Sequence, residues 1–167
     1  MDNNQEFVIS EYGQKARDNF LKGYNCSQAI VLAFSDVINK YVTMEESVLL
    51  KMASPFGGGM GRLREVCGSV TGMFMVLGFI EGYYKPKDDD GKTALYKDVQ
   101  YLAEEFRKIN GSIICREILG LGKGKDEPVP EKRTEAYYAK RPCPDKIASA
   151  GTILEKFLRE KEIIDDI

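Results

Sequence analysis

Apolar positions recur at helical spacing along nearly the whole chain. Phe7, Val8, Tyr12, Ala16, Phe20 and Leu21 step mostly by three and four residues, which predicts a first amphipathic helix from about Gln5 to Lys22. Gly23-Tyr24-Asn25 interrupts the pattern. Asn25 is a good N-cap and Gln28 stands three residues on, so a second helix is expected from Cys26 to about Tyr41. Thr43-Met44-Glu45-Glu46 reads as a capping box opening a third, short helix that ends near Ser54-Pro55. Phe56-Gly57-Gly58-Gly59-Met60-Gly61 is too rich in glycine to continue as helix.

A fourth helix is expected to begin near Leu63 to Val66 and to end around Gly82. The run from Val66 to Ile80 carries no charge, the longest such stretch at fifteen residues. A membrane span needs about 20 residues, so this is read as a buried central helix. Its small residues Gly68, Ser69, Gly72 and Gly78 let neighbours approach the backbone closely, and such faces suit a homodimer as well as an intramolecular contact. Pro86 to Gly91 reads as a solvated turn. Thr93 to Asn110 repeats the amphipathic pattern through Leu95, Val99, Leu102, Ala103 and Phe106. Ser112 is placed to cap a short turn carrying Cys115, closed by Gly120 and Gly122. Lys123 to Arg141 is polar, holds Pro128 and Pro130, and is expected to be the longest irregular segment. Pro142-Cys143-Pro144-Asp145 opens a last helix to roughly Glu162. With no internal repeat, low-complexity tract or long linker, residues 1–167 are expected to form one all-α domain, a bundle of about six helices around a central small-residue helix.

Composition narrows the chemistry. Of 167 residues, 43% are hydrophobic and 30% charged, enough for a core and a solvated surface, which excludes disorder over most of the length. The formal net charge is −2, without the basic excess of a nucleic-acid binder. Histidine is absent. That removes Ser-His-Asp and Cys-His catalysis, His-ligated zinc or haem, and a His general base. The acidic start, Met-Asp-Asn-Asn-Gln-Glu, lacks the apolar segment of a secretory signal. A cytoplasmic location is therefore expected, with reduced thiols, no membrane association and no nucleic-acid partner.

Four cysteines remain as the soft, redox-capable groups: Cys26, Cys67, Cys115 and Cys143. Their separations of 41, 48 and 28 residues contain no C-x-x-C pair, so only the tertiary fold can unite them. Each is expected at or near a helix start, where unpaired N–H groups and the helix dipole favour a thiolate. Against this, free cysteine is commonly a small core hydrophobe. Cys26 runs in phase with Ile30, Ala33 and Val37, and Cys115 with Ile118 and Leu119. Cys143, flanked by Arg141, Pro142, Pro144 and Asp145, has no apolar stripe to join. The glycine run resembles an anion-binding nest in layout but lacks a P-loop ending and a dinucleotide fingerprint. It suits tight turning and close helix approach equally, or backbone N–H donation to a cluster or thiolate. Arg62 and Arg64 would add positive charge beside Cys67 and lower its pKa.

Asn25-Cys26-Ser27-Gln28-Ala29, then Phe56-Gly57-Gly58-Gly59-Met60-Gly61, then Cys67-Gly68-Ser69-Val70-Thr71-Gly72 resemble the redox-active family called C_GCAxxG_C_C. The later cysteines fit too, in Ile114-Cys115-Arg116-Glu117-Ile118-Leu119-Gly120 and Arg141-Pro142-Cys143-Pro144. The resemblance spans about Gly23 to Leu158. One departure is Ser69, where the family usually has alanine; its hydroxyl can hydrogen-bond a nearby sulfur. The resemblance implies an α-helical domain with Cys26, Cys67, Cys115 and Cys143 as its functional residues.

Three chemistries suit four thiolates. They match the ligand count of an iron–sulfur cluster, with Gly57, Gly58, Gly59, Gly61 and Gly68 as backbone donors around it. One pair can instead cycle between dithiol and disulfide, with Cys67 as the expected nucleophile and another cysteine resolving. All four can also ligate a structural zinc. The reading is of an oxidoreductase component that transfers electrons or exchanges disulfides with a redox partner protein. The competing reading is a non-catalytic helical module that binds a small anion or a partner and keeps its cysteines for structure. Tyr137-Tyr138 would offer such a partner an aromatic contact, although packing onto the helices is the commoner fate of such a pair.

Overall fold

A computed structural model describes residues 7–165. Six helices of eight residues or more lie among them: α1 (Glu11–Leu21), α2 (Cys26–Ala33), α3 (Glu46–Ala53), α4 (Gly68–Glu81), α5 (Asp89–Asn110) and α6 (Cys143–Glu160). Single-turn pieces at Ser35–Ile38, Cys115–Ile118 and Glu135–Lys140 join them. The chain is all-α, and α4 is its centre. Gly68 through Met73, Val76 and Leu77 are buried along α4, which is wedged between α2, α5 and α6. Phe20, Ile30, Phe34, Met73, Leu77, Phe106 and Leu154 are fully buried around it. α1 lies along α6. Among the described residues no helix is long and apolar enough to cross a membrane.

Several boundaries move for identifiable reasons. Gln5 and Glu6, at the expected start of the first helix, lie outside the described residues. α1 begins at Glu11 because the Ser10 hydroxyl accepts the Gly13 N–H at 3.2 Å. The Asn25–Gln28 capping box forms as expected. The second helix stops at Ala33 rather than Tyr41, where Phe34 leaves helical geometry with its ring stacked on Tyr12, centroids 4.5 Å apart. The expected Thr43 box does not form; Glu45 occupies the cap position without a side-chain bond, and Asn39 takes the Met44 N–H at 3.0 Å. α4 starts at Gly68, after the expected 63–66, because Val66 pairs as an antiparallel bridge with Ile114. α5 begins a turn early at Asp89, since the Asp88 carboxylate accepts the Gly91 N–H at 2.9 Å. The stretch from Lys123 to Arg141 is not wholly irregular. It contains the turn Glu135–Lys140, capped where the Thr134 hydroxyl accepts the Tyr137 N–H at 3.2 Å. α6 stops at Glu160, just ahead of a left-handed Glu162.

Candidate functional site

Cys26 is the first residue of α2, Cys67 the N-cap of α4, Cys115 the first residue of the turn Cys115–Ile118, and Cys143 the first residue of α6. All four line one cavity of about 300 Å³. Their convergence has a backbone cause. The Cys67 N–H donates to the Ile113 carbonyl at 2.8 Å and the Cys115 N–H to the Glu65 carbonyl at 2.6 Å, clamping the two segments side by side. Two glycines then let the thiol-bearing elements close up. A Cβ on Gly68 would stand 2.8 Å from the Cys26 Cβ and 3.0 Å from the Phe56 carbonyl; one on Gly59 would stand 2.5 Å from the Cys115 Cβ. The close-approach reading of the glycine run is therefore a steric fact at these two positions. Gly57, Gly58, Gly59 and Gly68 line the cavity, and Gly61 does not.

The loop between a 3-10 turn at Ser54–Phe56 and α4 is unusual. Gly58, Gly59, Met60, Gly61 and Arg62 all hold φ between 65 and 67°, and Arg64 follows at 60°. Five successive left-handed residues make a turn of the wrong hand, at roughly 1–2 kcal/mol for each non-glycine. Its product is the placement of two arginines. Arg64, buried, bonds Asp126 at 2.7 and 2.8 Å and directs Nη1 to the Cys115 sulfur at 3.6 Å. Arg62 lines the cavity and shares Asp126 at 3.5 Å.

The expectation that Arg62 and Arg64 activate Cys67 is not met. Arg64 serves Cys115, and burial pushes the Cys67 thiol up to about 11 despite its 3.0 Å contact with the Ser69 hydroxyl. That contact is the sulfur–hydroxyl bond anticipated for Ser69. Burial also raises Cys115, against the opposing pull of Arg64. The two remaining thiols behave differently. Cys26 and Cys143 titrate against each other: the Cys26 thiol rises well above its usual value, chiefly through its neighbour Cys143 and then through burial, and Cys143 falls to about 7. The neighbouring Cys26 is the main cause for Cys143, with Arg141, Arg133 and Arg64 assisting against burial. Access follows the same division. Cys67 and Cys115 are 8% and 7% exposed, whereas Cys26 and Cys143 are half-buried.

The far wall comes from Pro130, Glu131, Arg133, Tyr137 and Arg141, of which sequence reasoning had not singled out Glu131 and Arg133. Arg133 hooks this strap to the helices, donating to the Phe20 carbonyl at 3.1 Å and the Tyr24 carbonyl at 3.2 Å while lying 4.1 Å over the Phe20 ring. It thereby supplies the cation that the last turn of α1 lacks. Tyr138 packs edge-on against Phe20 and against Tyr137, which itself faces the cavity. No local pattern marks Arg133; the proline-containing length of Lys123–Arg141 was the sole signal that this segment has a task.

A family model described as "Putative redox-active protein (C_GCAxxG_C_C)" matches residues 24–157 and takes in all four cysteines. The chain belongs to this family. No curated protein and no solved structure matches the chain. In this C_GCAxxG_C_C domain the cysteines named by the pattern share one cavity, and its Cys-Gly step puts Cys67 on the cap and Gly68 against Cys26. Among the described residues no three Cys, Asp or Glu side chains are grouped to share one metal ion. A single zinc held by all four thiols does not fit this arrangement.

Proposed function

We propose that the domain is a thiol–disulfide redox protein in which Cys143 attacks and Cys26 resolves. The observation that carries this reading is that Cys26 and Cys143, the two half-buried thiols, open two helices into one cavity walled by Arg64, Arg133 and Arg141. As thiolate, Cys143 attacks one sulfur of a substrate disulfide R–S–S–R′. An S–S bond forms to R–S, and R′–S⁻ leaves to be protonated by solvent. Cys26 then loses its proton, and its sulfur attacks the Cys143 sulfur, expelling R–S⁻. The substrate has gained two electrons, and the Cys26–Cys143 pair has become a disulfide. An external dithiol returns the pair to its reduced form by the same steps reversed. The arginines and the N-terminus of the 18-residue α6 hold negative charge on Cys143. Cys67 and Cys115, raised by burial, stay protonated at neutral pH.

Substitution separates the two roles. With a limiting aromatic disulfide reagent, the unaltered protein should release both halves of the reagent and keep no adduct. Cys26→Ser should release one half and retain the other on Cys143, read by intact mass. Full turnover by Cys26→Ser, or an adduct that maps to Cys67, would count against the assignment.

A second reading has its own support, four thiols from four segments facing one cationic cavity. Cys26, Cys67, Cys115 and Cys143 would hold an iron–sulfur cluster there, which when bound supplies one-electron transfer. Iron and acid-labile sulfide in protein purified without oxygen would favour it.

A further inference from the structure

The cavity wall is out of charge balance. Arg62, Arg64, Arg133, Arg141 and Lys146 line it. Asp126 answers Arg62 and Arg64, and Glu131 answers Arg141 at 2.6 Å. Arg133 bonds only neutral oxygens, those of Phe20, Tyr24 and Tyr138. Neither Arg133 nor Lys146 has a carboxylate partner within 4.0 Å among the described residues. Five cations therefore face two carboxylates, and a Cys143 thiolate still leaves two positive charges over. The lining between the charges is apolar, from Phe20, Ile118, Leu119, Pro130 and Ile147. At about 300 Å³ the space lies at the small end of ligand pockets. The space suits a small molecule.

We infer that the cavity takes a low-molecular-weight disulfide carrying carboxylates, which Arg133 and Lys146 hold while its sulfur meets Cys143. This rests on the thiol–disulfide reading. In the reaction, the protein dithiol and one dicarboxylate disulfide become the protein disulfide and two carboxylate thiols, so electrons and protons balance. Arg133 is preorganised by its carbonyl bonds and its seat on Phe20, and no rearrangement is needed to present its remaining N–H groups.

The test uses the full chain and three disulfides of similar length: 3,3′-dithiodipropionate, bis(2-hydroxyethyl) disulfide and cystamine, which are anionic, neutral and cationic. Rates of Cys26–Cys143 oxidation are divided by each reagent's rate with a free small thiolate. The anionic reagent should exceed the neutral one by at least about tenfold, the low end of enhancement by a charged cleft, and added salt should shrink the ratio. Lys146→Gln, which removes no described hydrogen bond, should narrow it further. Equal corrected rates, or a preference unchanged in Lys146→Gln and Arg133→Gln, would overturn the inference while leaving the dithiol reaction intact. Calorimetry with 3,3′-thiodipropionate, which has no S–S bond, tests anion capture independently of any reaction. Binding that weakens in Lys146→Gln supports the inference, and no binding overturns it. If no disulfide oxidises the pair, the dithiol reading fails, and the substrate assignment fails with it.

Discussion

Chemistry at the scale of single residues is decided by which thiol gets which neighbour. Cys143 is the one cysteine lowered, to about 7, because of its neighbour Cys26 and the arginines that face it. The thiolate is the nucleophile, so alkylation of Cys143 by iodoacetamide should rise with pH through about 7 and level off above it. Cys67, pushed up to about 11, should still be gaining reactivity where Cys143 has levelled. Peptide-resolved alkylation from pH 5 to 10 checks both; a Cys143 midpoint near 8.5, that of an unperturbed thiol, would remove the basis for its role. The Ser69 hydroxyl lowers Cys67 against burial. Ser69→Ala should therefore move the Cys67 midpoint further up and leave that of Cys143 in place. The identity of all four cysteines was legible in the sequence, as was the Ser69 contact. Which thiol is lowered was not. Arg62 and Arg64 lie near Cys67 in sequence, but the left-handed turn sends Arg64 to Cys115, and the arginines nearest Cys143 include one from ten residues upstream.

At the scale of elements, the site depends on close approach. Gly59 holds φ of 67° and its missing Cβ leaves room for Cys115. Gly59→Ala combines overpacking, about 1–3 kcal/mol, with left-handed strain of roughly 1–2 kcal/mol, and should lower stability by about 2 kcal/mol or more. Met60 has φ of 66° but a half-exposed side chain. Met60→Gly relieves the strain at the cost of about 0.5–1 kcal/mol in chain entropy, so it should be neutral or slightly stabilising. Urea melts of the two variants should move in opposite senses; loss of stability in both would mean the turn is not held as described. Sequence periodicity located the six main helices because their apolar stripes are long and regular. It misplaced the start of α4, since no local signal announces that Val66 will pair with Ile114 across 48 residues. It also overran the second helix, because the break at Phe34 is set by stacking on Tyr12, a tertiary contact.

For the molecule as a whole, the polar segment after Gly120 is a wall of the site. It is fastened by Arg133 to the end of α1 and by Asp126 to Arg64, whose pull holds the Asp126 carboxyl below its usual value. Asp126→Asn should loosen this wall without disturbing the core. Limited proteolysis should then cut faster within residues 120–134, with helical content retained; unchanged cleavage would mean the strap is held by other contacts. The sequence reading made this stretch the longest irregular segment and could not place it at the site, because its anchors are single long-range arginine contacts, which leave no periodic trace. The core and the four-cysteine pattern were written in the sequence, whereas the charge that makes one thiol different from the others was assembled by the fold.

The central claim is the pairing of Cys26 with Cys143. The most direct measurement is mild oxidation of the reduced full chain by a substoichiometric disulfide, followed by alkylation and disulfide mapping by mass spectrometry. One crosslinked peptide joining Cys26 to Cys143 is expected, reversible by a dithiol, with Cys67 and Cys115 recovered alkylated. A crosslink between Cys67 and Cys115, or four alkylated cysteines after exposure to oxidant, would contradict it.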